Sequence, residues 1–154
     1  MTSGTARDRH AREGFTLIEI MAVVLIIGLL SATVGLAVAG MVEDARANTT
    51  QQDIRSLEAA LEFYRMDNGR YPSSEQGLRA LIEKPTAGPP ARRWRKGGYL
   101  SKSILPTDGW DSPFEYAQPG AHNPDGFDLW SVGSDGVPGG GDDIGNWASD
   151  QNAG

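Results

Sequence analysis

The chain has 154 residues, with 20 Asp+Glu against 14 Lys+Arg, a formal net charge of −6 and no cysteine. That length fits one modest domain. Zero Cys excludes disulfides, thiolate metal sites and thiol nucleophiles, and the acidic balance argues against a nucleic-acid binder, which would carry a basic face.

In chain order, Met1–Gly14 comes first, with Arg7, Arg9 and Arg12 against Asp8 and Glu13, a net charge of +1, plus His10. From Ile20 to Val42 there follow 23 residues without Asp, Glu, Lys, Arg or His, and only Ser31 and Thr33 carry polar side chains. About 20 apolar residues span a hydrocarbon core at roughly 1.5 Å each. A secretory signal peptide has a shorter apolar core, although Ala37-Val38-Ala39 resembles its cleavage site. A buried core helix fits poorly, because too little chain remains to surround it. The spacing therefore predicts a single membrane span. Basic residues before it favour a cytoplasmic N-terminus, with everything after Val42 on the far side. Glu19 follows Phe15-Thr16-Leu17-Ile18 and so lies inside the apolar stretch. A carboxylate there is costly unless a cation meets it. No Lys or Arg follows until Arg46, about 40 Å along a helix. The partner must come from elsewhere, and a new α-amino group made by cutting before Phe15 would serve.

Arg12-Glu13-Gly14-Phe15-Thr16-Leu17-Ile18-Glu19-Ile20-Met21 resembles the prepilin processing motif of type IV pilins and their relatives. The resemblance implies cleavage between Gly14 and Phe15 by a prepilin peptidase, N-methylation of Phe15, and pairing of Glu19 with the Phe15 α-amino group of a neighbouring subunit. Pairing turns two costly buried charges into one compensated pair.

The helix continues without proline to Asn68-Gly69, and Ile54, Leu57, Leu61 and Tyr64 form an amphipathic stripe. A helix over about Leu17–Met66 would be near 75 Å long. Gly28, Gly35 and Gly40 interrupt its apolar half, either as neutral residues in lipid or as a soft hinge. Many pilin-like chains carry proline near Leu36, and this one does not. Asn48-Thr49-Thr50 matches a glycosylation sequon by chance. Beyond the helix, turn dipeptides recur and all four tryptophans lie between Trp94 and Trp147. A short helix is predicted over Ser74–Glu83, stopped by Pro85, with strands over Gly98–Leu100, Pro113–Ala117 and Phe127–Val132. The expected fold class is α+β, a long helix packed on a small antiparallel sheet. The expected division is a leader at 1–14, a transmembrane and assembly helix at 15–42, and a periplasmic domain at 43–154.

Val132-Gly133-Ser134-Asp135-Gly136-Val137-Pro138-Gly139-Gly140-Gly141-Asp142-Asp143-Ile144 brings three carboxylates together if the glycine-rich arc folds back. Taken by itself it is either a solvated acidic loop or a site for a hard cation, which wants six or more oxygens, roughly. The absence of His and Cys from it disfavours zinc.

Asn68-Gly69-Arg70-Tyr71-Pro72-Ser73-Ser74-Glu75-Gln76-Gly77-Leu78, Asp108-Gly109-Trp110-Asp111-Ser112-Pro113-Phe114-Glu115-Tyr116 and Asp128–Trp147 are similar to segments of the type II secretion major pseudopilins, the general secretion pathway protein G family. That resemblance implies a pilin-like fold and a calcium-binding C-terminal loop. Asp135, Asp142 and Asp143 match its side-chain ligands, and Val132, Ser134 and Val137 match its carbonyl positions. It implies a major structural subunit of a periplasmic pseudopilus that polymerises through its N-terminal helix to drive export of folded proteins. The implied partners are further copies of the chain, minor pseudopilins, a prepilin peptidase, an inner-membrane assembly platform and a cytoplasmic ATPase. The implied location is a Gram-negative inner membrane, crossed once, with the C-terminal domain in the periplasm. A type IV pilus or DNA-uptake pilin is the alternative; type IVa pilins usually close their C-terminal region with a disulfide, and Cys is absent here. An enzyme is not expected. The only histidines are His10 and His122, and Asp111, Glu115 and Asp128 read as solvated turn acids.

Overall fold

A computed structural model describes residues 15–147. The leader with Gly14 lies outside them, as do the side chains of residues 33 and 35–37, and with them the Gly35 hinge. Two compact units divide the chain between Met41 and Val42.

Helix α1 spans Leu17–Asn68 and runs through both units. In the first unit its described apolar side chains, including Leu17, Ile18, Met21, Leu25 and Leu29, are all exposed. Among the described residues no helix is long and apolar enough to cross a membrane. The 23-residue apolar run is thus a property of the sequence that includes positions outside the description. A Cβ added at Gly28 or Gly40 meets nothing within 4 Å. Ser31, one of the few polar groups here, donates its hydroxyl to the Ile27 carbonyl at 2.8 Å, hiding that polarity against the backbone.

In the second unit α1 is amphipathic as its spacing requires. Ile54, Leu57 and Leu61 are fully buried and Tyr64 nearly so. They pack with Leu81, Phe114, Phe127 and Leu129 in one core. Asn68 ends α1, and Gly69 at φ 77° takes the left-handed turn that glycine allows.

Three antiparallel strands lie in the order β1 (Glu115–Ala117), β2 (Asp128–Ser131) and β3 (Ile144–Gly145). Glu115 pairs with Trp130, and Ser131 with Ile144. Two of the three expected strands are therefore present, each shorter than expected. Gly98–Leu100 is turn rather than strand: Gly97 and Gly98 have positive φ, and Tyr99 N–H is taken by the Leu81 carbonyl at 2.7 Å. The expected Ser74–Glu83 helix shrinks to a 3₁₀ turn at Leu78–Leu81. Gly77 at φ 57° interrupts it, and Gln76 is drawn away to serve the Ala87 and Pro89 carbonyls at 2.9 and 2.7 Å.

Candidate functional site

Two places hold the residues that the sequence singles out. The first is the start of α1. Glu19 Oε2 accepts a long hydrogen bond from Thr16 N–H at 3.5 Å, and Thr16 Oγ1 accepts from Glu19 N–H at 3.3 Å. This reciprocal pair is a capping box, and it satisfies two backbone donors that a helix start leaves open. The Thr-x-x-Glu spacing of Thr16 and Glu19 is the sequence signal for this role of Thr16. Phe15, the expected mature N-terminus, stands 77% exposed just before the helix.

The second place is the loop between β2 and β3. Asp142 Oδ2 accepts from Ser134 N–H at 2.7 Å, Ser134 Oγ–H at 2.8 Å and Asp135 N–H at 3.1 Å. These donors, the Ser134 hydroxyl first, hold its carboxyl below the usual range. Asp143 Oδ2 accepts from Gly139 N–H at 2.7 Å, and Asp135 Oδ1 from Val137 N–H at 2.8 Å. The arc thus folds back as the glycines permit. A Cβ at Gly133, where φ is 68°, would lie 2.5 Å from the Asp142 carbonyl oxygen. A Cβ at Gly140 would lie 2.2 Å from Asp135 Oδ2.

Asp142 and Ser134 are therefore brought into contact, with Asp135 joined through its backbone. Asp135 spends one oxygen on Val137, and among the described residues no three acidic or imidazole groups gather to hold a metal by side chains alone. Yet Asp142 Oδ1 and Asp143 Oδ1 are both buried without any hydrogen-bond donor. A carboxylate oxygen shielded from solvent and without a donor is open to a cation. Two such oxygens on adjacent residues fit a hard divalent cation supplemented by backbone carbonyls and water.

The loop is tied to the core from behind. Ser131 Oγ donates to buried Asp108 Oδ2 and accepts from Gly133 N–H at 3.1 Å. Asp108 Oδ1 also closes the next turn by accepting from Trp110 and Ser112 N–H. Farther along, Asp128 is almost fully buried. Its carboxylate accepts from His122 N–H at 2.8 Å and Asn123 N–H at 3.0 Å, and meets His122 Nδ1 at 3.0 Å. Burial pushes its pKa up, but these donors outweigh burial and hold it below its ordinary value. Asp128 is an internal knot and not the solvated turn acid that its sequence setting suggests, and no turn dipeptide signals such burial. His122 then stacks on Trp147, centroids 4.0 Å apart.

With fold and loop in view, comparison decides the class. Residues 37–147 match the family described as Type II secretion system (T2SS), protein G, and residues 9–41 match the prokaryotic N-terminal methylation motif. The chain belongs to the type II secretion system protein G family.

A core protein G of Pseudomonas aeruginosa is 48% identical over 143 residues, covering 91% of this chain and 98% of that one. One from Pectobacterium carotovorum is 44% identical over 142 residues, covering 92% and 88%. The crystal structure of the major pseudopilin of the enterohaemorrhagic Escherichia coli type 2 secretion system matches with a TM-score of 0.63 at 43% identity. It covers 71% of this chain and 92% of that one. This member of the protein G family is thus a structural pseudopilin of a type II secretion system, and the type IV pilus reading is not favoured. Together with the methylation motif, membership makes it a membrane-anchored, periplasm-facing protein.

Proposed function

We propose that this chain is the repeating subunit of a pseudopilus, inserted once through a Gram-negative inner membrane and assembled through its N-terminal helix to drive folded proteins outward. In this reading a prepilin peptidase cuts between Gly14 and Phe15 and methylates Phe15. Glu19 then pairs with the α-amino group of Phe15 on the neighbouring subunit. Copies, minor pseudopilins and an inner-membrane platform are its partners. The observation that carries the reading is the methylation-motif match over residues 9–41, on a chain whose apolar helix begins with a lone acid. The capping box adds a physical point. The Glu19 carboxylate accepts only one long hydrogen bond among the described residues, from Thr16 N–H at 3.5 Å, so an ammonium group in an apolar setting is the stronger partner.

Replacing Glu19 with Ala tests this. Cleavage should survive while fibre formation is lost; normal fibres would remove the charge-pair role.

The loop belongs to the same proposal as a calcium site. Asp142 and Asp143 would offer their free oxygens, Asp135 a further carboxylate oxygen, and Val132, Ser134 and Val137 backbone carbonyls. A bound calcium ion would supply a staple for a segment with few apolar contacts. The orphaned Asp142 and Asp143 oxygens support it. Asp135→Ala and Asp143→Ala should each lower Tm and abolish its dependence on calcium. A melt that stays calcium-sensitive in both variants would refute the assignment.

A further inference from the structure

The second unit begins at Val42, so residues 43–50 are the first turns of α1 inside it. One tight turn, Asp108–Ser112, holds them. Gly109 N–H donates to Thr50 Oγ1 at 2.9 Å and Trp110 Nε1–H to Glu43 Oε1 at 2.8 Å. Gly109 lies so close to the helix that an added Cβ would stand 2.8 Å from Arg46 Cα. The turn is built on Asp108. Its N–H donates to the Ser112 carbonyl at 2.8 Å, and its Oδ1 accepts from Trp110 N–H at 2.9 Å and Ser112 N–H at 2.8 Å.

Asp108 is only 4% exposed, so its carboxylate depends on donors within the protein. Oδ2 takes the hydroxyl of Ser131, which is fully buried. The same Ser131 oxygen accepts from Gly133 N–H at 3.1 Å. Gly133 lies against Asp142, since an added Cβ would stand 2.6 Å from the Asp142 carboxylate carbon. A line of close contacts therefore runs from the acidic loop through Ser131 and Asp108 to the turn that grips α1. Among the described residues no hydrogen bond or ion pair joins residues 133–143 to α1 directly. An open groove of about 1160 Å³ lies between Asp142 and Asp143 on one side and Glu43 and Ala47 on the other.

We propose that Ser131 and Asp108 are positioning residues that couple occupancy of the acidic loop by a divalent cation to the docking of α1 at Glu43–Thr50. The inference rests on the calcium reading of that loop and extends it to a distant element. An empty loop leaves the Asp142 and Asp143 carboxylates repelling one another, and Gly133 moves with Asp142. A filled loop keeps Gly133 N–H aimed at the Ser131 oxygen, which directs the hydroxyl proton to Asp108. Buried hydrogen bonds in such a chain strengthen together. Because α1 runs through both units, the grip on residues 43–50 sets how firmly the second unit holds the helix.

Hydrogen exchange followed by mass spectrometry tests this on the full chain in detergent micelles, with calcium and with EGTA. In the native chain calcium should slow exchange at 133–143, and also at 108–112 and 43–50. Residues 92–99, off the line, should not respond. In Ser131→Ala the loop should keep its calcium response, while that at 43–50 should drop by about tenfold, as loss of a hydrogen bond to a charged group implies. Trp110→Phe removes only the last link: 108–112 should respond as in the native chain and 43–46 should not. Unchanged exchange at 54–64 checks that each variant is folded, and either variant decides the matter without the other. A loop response in the native chain with none at 43–50, a uniform slowing of the whole unit, or a 43–50 response that survives in a folded variant would overturn the coupling and leave the calcium site standing. No response at 133–143 in the native chain would refute the calcium site and the coupling with it.

Discussion

Asp128 shows how one side chain can organise a segment. It gathers donors from His122 and Asn123, and Gly120 must lack a Cβ because one would lie 2.3 Å from its Oδ1. Its pKa is lower in the folded chain than its ordinary value of 3.8. The stability it contributes is therefore fully present above the unfolded pKa, and is lost as pH falls through the folded value. Asp128→Ala should cost at least about 2 kcal/mol at pH 7, since it leaves several donors unmatched. Denaturant melts should show that penalty shrinking toward pH 3; a pH-independent penalty would mean that packing, not charge, is at stake. Gly133 acts at the same scale. Gly133→Ala adds a group 2.5 Å from the Asp142 carbonyl at a positive φ. It should weaken any calcium dependence of Tm while sparing the core, with near-ultraviolet circular dichroism of the tryptophans as the check.

Among the elements, α1 has two unlike halves because its two sequence patterns differ. The stripe Ile54, Leu57, Leu61 and Tyr64 was legible from spacing alone, since only one helix face can reach a core. Docking of the same helix by Thr50 was not. Thr50 Oγ1 bonds back to the Arg46 carbonyl and accepts from Gly109 N–H, each at 2.9 Å. A Cβ at Gly109 would lie 2.5 Å from the Arg46 carbonyl oxygen. Backbone against helix at that distance depends on a partner 59 residues away, which no local pattern announces. Leu57→Ala should destabilise by about 2–5 kcal/mol and Gly109→Ala by about 1–3, both read by urea melts. Equal small losses would imply that the helix floats over the sheet. The same reasoning explains the elements that the sequence misplaced. Strand β3 is a two-residue pairing too short to carry a period, and the lost Ser74–Glu83 helix gave way to side-chain contacts with a distant loop.

Over the whole molecule the class was legible before any coordinates, because a Gly-Phe junction with Glu four residues on and a long apolar run is a rare combination. The loop was legible as acidic and glycine-rich, but its internal division was not. Asp142 braces the arc with one oxygen and leaves the other bare, while Asp135 caps its own turn. Such assignments depend on φ at the intervening glycines, not on composition. Charge changes meaning at this scale too: without Met1–Gly14 the chain has 11 Lys+Arg and 18 Asp+Glu, a net −7. The central claim, that a processed N-terminal helix builds a fibre, is tested most directly by intact and N-terminal mass spectrometry of the chain recovered from assembled fibres. The account predicts a 140-residue chain, Phe15–Gly154, beginning with N-methyl-Phe15. A chain that begins at Met1, or after Ala39, would contradict it.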